Sequence, residues 1–229
     1  MGIAENIKMI QQEIKAAQSR SPHAADDVLL LAVSKTRDVE MIREAMAAGL
    51  QDFGENKVQE WMGKYEALPQ VNWHLIGHLQ TNKVKYLIGK TKLIHSLDSV
   101  PLAAEIEKRS LQAQVETDVL VQVNIAEEDS KSGLLVPELS AFLDKMADFP
   151  HVKVKGLMTI GPNVTDTGQI RPVFAELRRL FLQEKARALP HCQWLYLSMG
   201  MSYDYSIAVE EGANIVRVGS SIFGPRLYL

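Results

Sequence analysis

The chain has 229 residues, which is long for a small domain and natural for one α/β barrel or one doubly wound sheet. Its 25 lysines and arginines stand against 28 aspartates and glutamates, a net charge of -3, which excludes the basic footprint of a nucleic-acid binder or a basic membrane arm. One cysteine, Cys192, excludes an internal disulfide, and no stretch approaches the roughly 20 apolar residues that span a bilayer; a cytoplasmic protein is expected.

Ile3, Ile7, Ile10 and Ile14 recur at helical spacing, so residues 1–20 are expected to form a surface helix with one apolar stripe rather than a signal peptide. The run Leu29-Leu30-Leu31-Ala32-Val33-Ser34-Lys35 reads as a strand buried on both faces and closed by a lysine. Burial disfavours an ammonium ion, so such an amine can become a nucleophile toward an aldehyde. A strand-end lysine that snorkels to solvent is the alternative. Next come a helix over 38–48 with Gly49 as its stop, a short strand at 51–56, and a helix carrying Val58, Trp61, Met62, Tyr65 and Leu68 that ends at Pro69. A strand at 72–77, a short helix around 81–88 and a strand at 92–97 follow. Ser99 and Pro101 then open a helix to about Leu111.

In the second half DVLVQVNI, 118–125, is the clearest strand. The loop after it holds Glu127-Glu128-Asp129, read as solvated, and Ser130-Lys131-Ser132-Gly133, read as near a barrel mouth. A helix at 137–149, a strand at 152–160 and a long helix with Val173, Phe174, Leu177, Leu180 and Phe181 on one face come next. The strand 194–198, the helix 203–211 and the strand 215–218 complete the order. Eight strands separated by helices argue for a closed parallel (β/α)₈ barrel; an open doubly wound sheet is the alternative.

Function in a parallel α/β fold collects at the C-terminal ends of the strands. Those ends carry Lys35, Glu55-Asn56, Gly77-His78, Ser96 with Asp98, Asn124, Met158-Thr159, Ser198 to Met201, and Arg217 to Ser221. The loops after strands seven and eight, Ser198-Met199-Gly200-Met201-Ser202 and Arg217-Val218-Gly219-Ser220-Ser221, are rich in small and hydroxyl residues and suit a phosphate; tight turns filled by glycine and serine are the plainer reading. A lysine opposite such a cradle points to a phosphorylated aldehyde. His74 and His78 are four apart, but no HExxH glutamate intervenes, so His74 reads as structural and no metal is expected. No nucleophile elbow, dinucleotide fingerprint or P-loop occurs in a fitting context.

LLAVSKT at 30–36, FGENKVQE at 53–60, WHLIGHLQTNK at 73–83, SKSG at 130–133, GLMTIGP at 156–162, LSMGMSYDYSIAVEEGAN at 197–214 and VRVGSSIFG at 216–224 together resemble the pyridoxal-phosphate homeostasis proteins, a family also described as alanine-racemase N-terminal-domain-like. The likeness runs from about residue 28 to 226. It implies a single domain over 1–229, a fold type III barrel with one pyridoxal 5′-phosphate (PLP) held on Lys35 as a Schiff base. By the same resemblance Ser198, Gly219 and Ser220, with the backbone around Met199 and Gly200, hold the phosphate, and Arg217 lies by the pyridine nitrogen. Asn56, His78 and Met158 are implied pocket walls. The related racemases add a C-terminal β-domain that supplies a second acid/base, and this sequence shows only Lys35 in such a role. The resemblance therefore implies a monomeric protein of vitamin B6 homeostasis with apo-enzymes as recipients; a small amino-acid racemase is the alternative, and a cofactor-free Schiff-base aldolase a weaker one.

Overall fold

Eight strands, each parallel to its neighbours, close on themselves in chain order. They are β1 (Leu29–Val33), β2 (Asp52–Glu55), β3 (Asn72–Leu75), β4 (Leu93–Leu97), β5 (Thr117–Gln122), β6 (Val152–Met158), β7 (Cys192–Ser198) and β8 (Ile215–Val218). Pairing of Leu29–Ala32 with residues 215–218 joins β1 to β8 and completes the barrel, so the open-sheet alternative falls away. The structure is a computed structural model that describes residues 2–225 apart from 127, 129–131, 163 and 165. Glu127, Asp129, Ser130 and Lys131, singled out in the sequence, lie outside the described residues.

The uninterrupted apolar run of β1 has a two-sided cause. Leu31 and Val33 point to the barrel axis, where they pack with Ile76, Leu93, Leu120, Met158 and Ile215. Leu30 and Ala32 point outward into the larger core between strands and helices. That outer shell consists of α1 (Ile3–Arg20), α2 (Val39–Ala47), α3 (Val58–Ala67), α4 (Val100–Ala113), α5 (Leu139–Lys145), α6 (Thr167–Ala186), α7 (Tyr205–Glu210) and α8 (Ser220–Phe223), with a 3₁₀ turn at Thr81–Tyr86 after β3. The isoleucine stripe of α1 is buried against α2, α7 and α8, and Gln18 Nε2 ties the helix end to the carbonyls of Ala25 and Asp26. Among the described residues no helix is long and apolar enough to cross a membrane.

Several strand ends differ from the sequence reading: β3 stops at Leu75 rather than 77, β6 at Met158 rather than 160, and β7 begins at Cys192 rather than 194. β1 stops at Val33, two residues before Lys35: the Ser34 amide still donates to Gly54 O, but the Arg37 amide turns back to Ser34 O, so Lys35 sits in a turn. β5 stops at Gln122 rather than 125: the Val123 amide still bonds Met158 O on β6, but the Asn124 amide turns away to Leu134 O.

The barrel axis is not wholly apolar. At its base Asp52, the first residue of β2, accepts hydrogen bonds from His74 Nε2 at 3.0 Å and Lys92 Nζ at 2.8 Å. Burial alone would raise the Asp52 carboxyl, but these two partners outweigh it and hold it at about 2, below the usual 3.8. The folded state therefore binds its proton less readily than the unfolded chain does. The resulting stabilisation, roughly 2 kcal/mol, is present above about pH 4 and is lost as pH falls toward 2. Urea unfolding across that window should show the loss in the native chain and a smaller one in Asp52→Asn.

Candidate functional site

A cavity of about 370 Å³ opens at the C-terminal mouth of the barrel, between the turn after β1, the end of β2 and the loops after β7 and β8. Lys35, Arg37, Asn56, Ser202, Arg217, Gly219 and Ser220 supply its polar lining; Val33, Ile76, Ile160 and Met201 supply apolar walls. The volume lies in the usual range for small-molecule sites.

The turn that presents Lys35 is held from behind. Thr36 has φ 64°, a left-handed conformation that a β-branched residue adopts only under constraint. The constraint is a buried ionic cluster. The Thr36 amide donates to Glu60 Oε1 at 2.5 Å. Lys64 Nζ donates at 2.7 Å to each of Glu60 Oε1, Glu55 Oε1 and the Ser34 carbonyl, and Ser34 Oγ donates to Glu55 Oε1 at 2.6 Å. All three protons of the Lys64 ammonium are thereby used. Glu55 is fully buried; desolvation pushes its carboxyl upward against the opposing pull of Lys64 and Ser34, and its Oε2 has no partner. The cluster thus fixes the residues on both sides of Lys35 while Lys35 itself lines the cavity, half-buried.

Asn56 follows Glu55 and also faces the cavity. Its Oδ1 is buried without a partner, the kind of orphan a ligand donor satisfies. Gly77 makes this wall possible, because a Cβ there would stand 2.4 Å from the Asn56 carbonyl.

On the opposite wall the two serine-rich loops are laced together. Ser202 Oγ accepts the Gly219 amide at 3.1 Å and, more weakly, the Ser221 amide at 3.5 Å, while Ser221 Oγ donates to Ser202 O. With its lone pairs so occupied, Ser202 keeps its own proton to give to an anion. The chain reaches Ser202 through Gly200 at φ 89°, where a Cβ would fall 2.5 Å from that of Ala208.

Arg217 forms the floor. It is buried, and its Nη1 and Nη2 donate to Ser198 Oγ at 2.8 Å and Thr159 O at 2.7 Å, both neutral acceptors. Burial lowers its pKa from 12.5 to about 10, which still leaves it charged at neutral pH.

Of the residues named from sequence, Lys35, Asn56, Arg217, Gly219 and Ser220 meet at this cavity. Ser198 lies beneath it, fully buried, with its hydroxyl between Arg217 and His95. Met199 packs in the outer core and its amide donates to Ile215 O; the Gly200 carbonyl accepts from the Arg217 amide. Met158 belongs to the barrel interior. The side chain of His78 is 58% exposed, 3.5 Å from Asp98, and is not part of the cavity lining. The sequence offers Ser202 only as a member of the candidate phosphate loop and does not single out Lys64. Lys64 had a signal: it shares the buried stripe of α3 with Val58 and Trp61, where a lysine needs partners.

The sequence model of the family described as "Alanine racemase, N-terminal domain" matches residues 5–226. The chain belongs to this family. Within it the chain is 45% identical over 233 residues to a protein of Aquifex aeolicus named "Pyridoxal phosphate homeostasis protein", with all of both chains covered. It is 34% identical to the protein of the same name from Escherichia coli, over 99% of this chain and 97% of that one. Among solved structures, PipY of Synechococcus elongatus, described without PLP, superposes with a TM-score of 0.86 at 35% identity, over 97% of this chain and all of the other. PipY described with PLP bound superposes at 0.85 and 33% identity, with the same coverage. An alanine racemase of Clostridium difficile, 12% identical, shares the barrel fold with a TM-score of 0.75 over 97% of this chain and 60% of that one.

Proposed function

We propose that this chain holds PLP covalently at Lys35 and buffers the cofactor for apo-enzymes that need it, without robust catalysis of its own. One observation carries the reading: Lys35, the Ser202–Gly219–Ser220 wall and the Arg217 guanidinium face one cavity of about 370 Å³. When bound, the cofactor supplies an aldehyde for the lysine and an electron-withdrawing ring.

The residues present fit that group. Ser202 and Ser220 offer hydroxyl protons to a phosphate, and Asn56 Oδ1 waits for a donor. Arg217 stays charged, so beside a ring nitrogen it can donate a hydrogen bond but opposes protonation there, which weakens the ring as an electron sink. The relatives' names support homeostasis over turnover.

Racemisation needs a second base on the face opposite Lys35. Tyr203 is the tyrosine in the lining, yet it is 93% exposed, so nothing desolvates its hydroxyl or aims it. The loaded protein in deuterated water with L-alanine should therefore show no α-proton exchange beyond that of free PLP at equal concentration. Sustained exchange well above that control would overturn the non-catalytic reading and restore the racemase.

A further inference from the structure

Arg217 is the visible end of a hydrogen-bonded chain that runs down the barrel axis. Its Nη1 donates to Ser198 Oγ at 2.8 Å, and Ser198 Oγ lies 3.0 Å from His95 Nδ1. His95 Nε2 is 2.9 Å from His74 Nδ1, and His74 Nε2 is 3.0 Å from Asp52 Oδ1, which also receives Lys92 Nζ. Strands β8, β7, β4, β3 and β2 each contribute one member, and all five residues are buried.

The direction of every bond follows from the Asp52 end. A carboxylate only accepts, so His74 Nε2 carries a proton. A neutral imidazole has one donor, so His74 Nδ1 accepts and His95 Nε2 must donate. His95 Nδ1 then accepts the Ser198 hydroxyl proton, which turns the serine lone pairs toward Arg217. Both imidazoles are held neutral. Burial lowers His74 despite Asp52, and it lowers His95 strongly, with the nearby Arg217 charge adding to the effect. The bond dipoles all point the same way, with positive ends toward Asp52 and negative ends toward Arg217.

We infer that Asp52, His74, His95 and Ser198 form a one-way relay whose task is to position the Arg217 guanidinium in the floor of the cofactor cavity. They are positioning residues: Ser198 touches Arg217, and the others act through it. Among the described residues Arg217 has no carboxylate as a direct side-chain hydrogen-bond partner; Asp204 acts on it through space, and the relay adds the influence of the Asp52 charge through aligned dipoles. The neighbouring axial positions are Leu31, Leu93, Leu120 and Met158, so a plain core packing would have needed none of these polar groups. The role toward the cofactor rests on the reading that PLP occupies this cavity; the positioning of Arg217 does not.

Ser198→Ala removes one hydroxyl and breaks the relay at its last link. Nitrogen-detected NMR of the ligand-free native protein at neutral pH should find His74 and His95 as neutral Nε2–H tautomers, and either ring as Nδ1–H or doubly protonated overturns the relay. In Ser198→Ala the Arg217 guanidinium resonances should shift and broaden, and affinity for PLP should fall about tenfold, with a displaced absorbance maximum. Inhibition of that binding by inorganic phosphate should keep its native strength. If phosphate and PLP weaken together, Ser198 is a phosphate contact and the relay role is wrong. Unchanged Arg217 resonances also overturn it. A native protein that shows the tautomer pattern and the Arg217 response but never takes up PLP defeats the cofactor reading and leaves the relay standing.

Discussion

Lys35→Ala is expected to abolish covalent capture of PLP, so that a mixture of the variant and the cofactor absorbs as the two components separately. Lys35 is the lysine in the cavity lining, and the nearest buried substitute, Lys64, has each of its three protons committed to Glu55, Glu60 or the Ser34 carbonyl. The serine-rich wall and Arg217 have hydrogen bonds of their own, so the phosphate end of the cavity should survive. Retention then becomes an ordinary reversible equilibrium, weaker by on the order of 100-fold once intramolecular attack is gone. Equilibrium dialysis with absorbance detection measures both quantities. Undiminished absorbance at the wavelength of the native complex would mean that another amine does the work.

Lys64→Met should produce the largest change in stability. It strips a buried carboxyl cluster of its cation, and breaking a buried pair from one side costs about 3–5 kcal/mol. For a chain of this size that lowers the melting temperature by roughly 10 °C or more. The same change frees the Ser34 carbonyl and the Glu60 carboxylate that clamp Thr36 in its left-handed turn, so capture of PLP should slow as well. Adding Glu55→Gln removes the stranded charge and should recover most of the stability, because a neutral pair of similar volume replaces the ionic one. It should not restore fast capture, since the clamp is still missing. Calorimetry and stopped-flow absorbance separate the two effects; equal instability of the single and double variants would contradict the assigned cause.

The barrel was legible because its strands are buried on two sides. Leu30 and Ala32 face the helices while Leu31 and Val33 face the axis, and an eightfold alternation of such runs with helices leaves few architectures. Exact strand ends were less legible, since they depend on which amide finds a partner: the Arg37 amide returning to Ser34 is what places Lys35 in a turn. Within the site, position along the chain identified Lys35, Asn56 and the loops after β7 and β8, but not which serine faces the ligand. Ser198 still obeys the strand's period of two and points to the axis with Arg217, whereas Ser202 stands beyond Gly200 and reaches the cavity. The axial relay had no local signal at all. His74 pairs in register with Leu93, so His95 becomes its diagonal neighbour only once β3 and β4 lie side by side.

The central claim is that this cavity captures PLP through one particular amine. Its most direct measurement is borohydride reduction of the loaded native protein, followed by proteolysis and mass spectrometry of the labelled peptide. The expected result is one equivalent of reduced adduct per chain on Lys35, with the near-visible absorbance replaced by that of a secondary amine. Adduct spread over exposed lysines, concentrated on Lys64, or absent altogether would contradict the account.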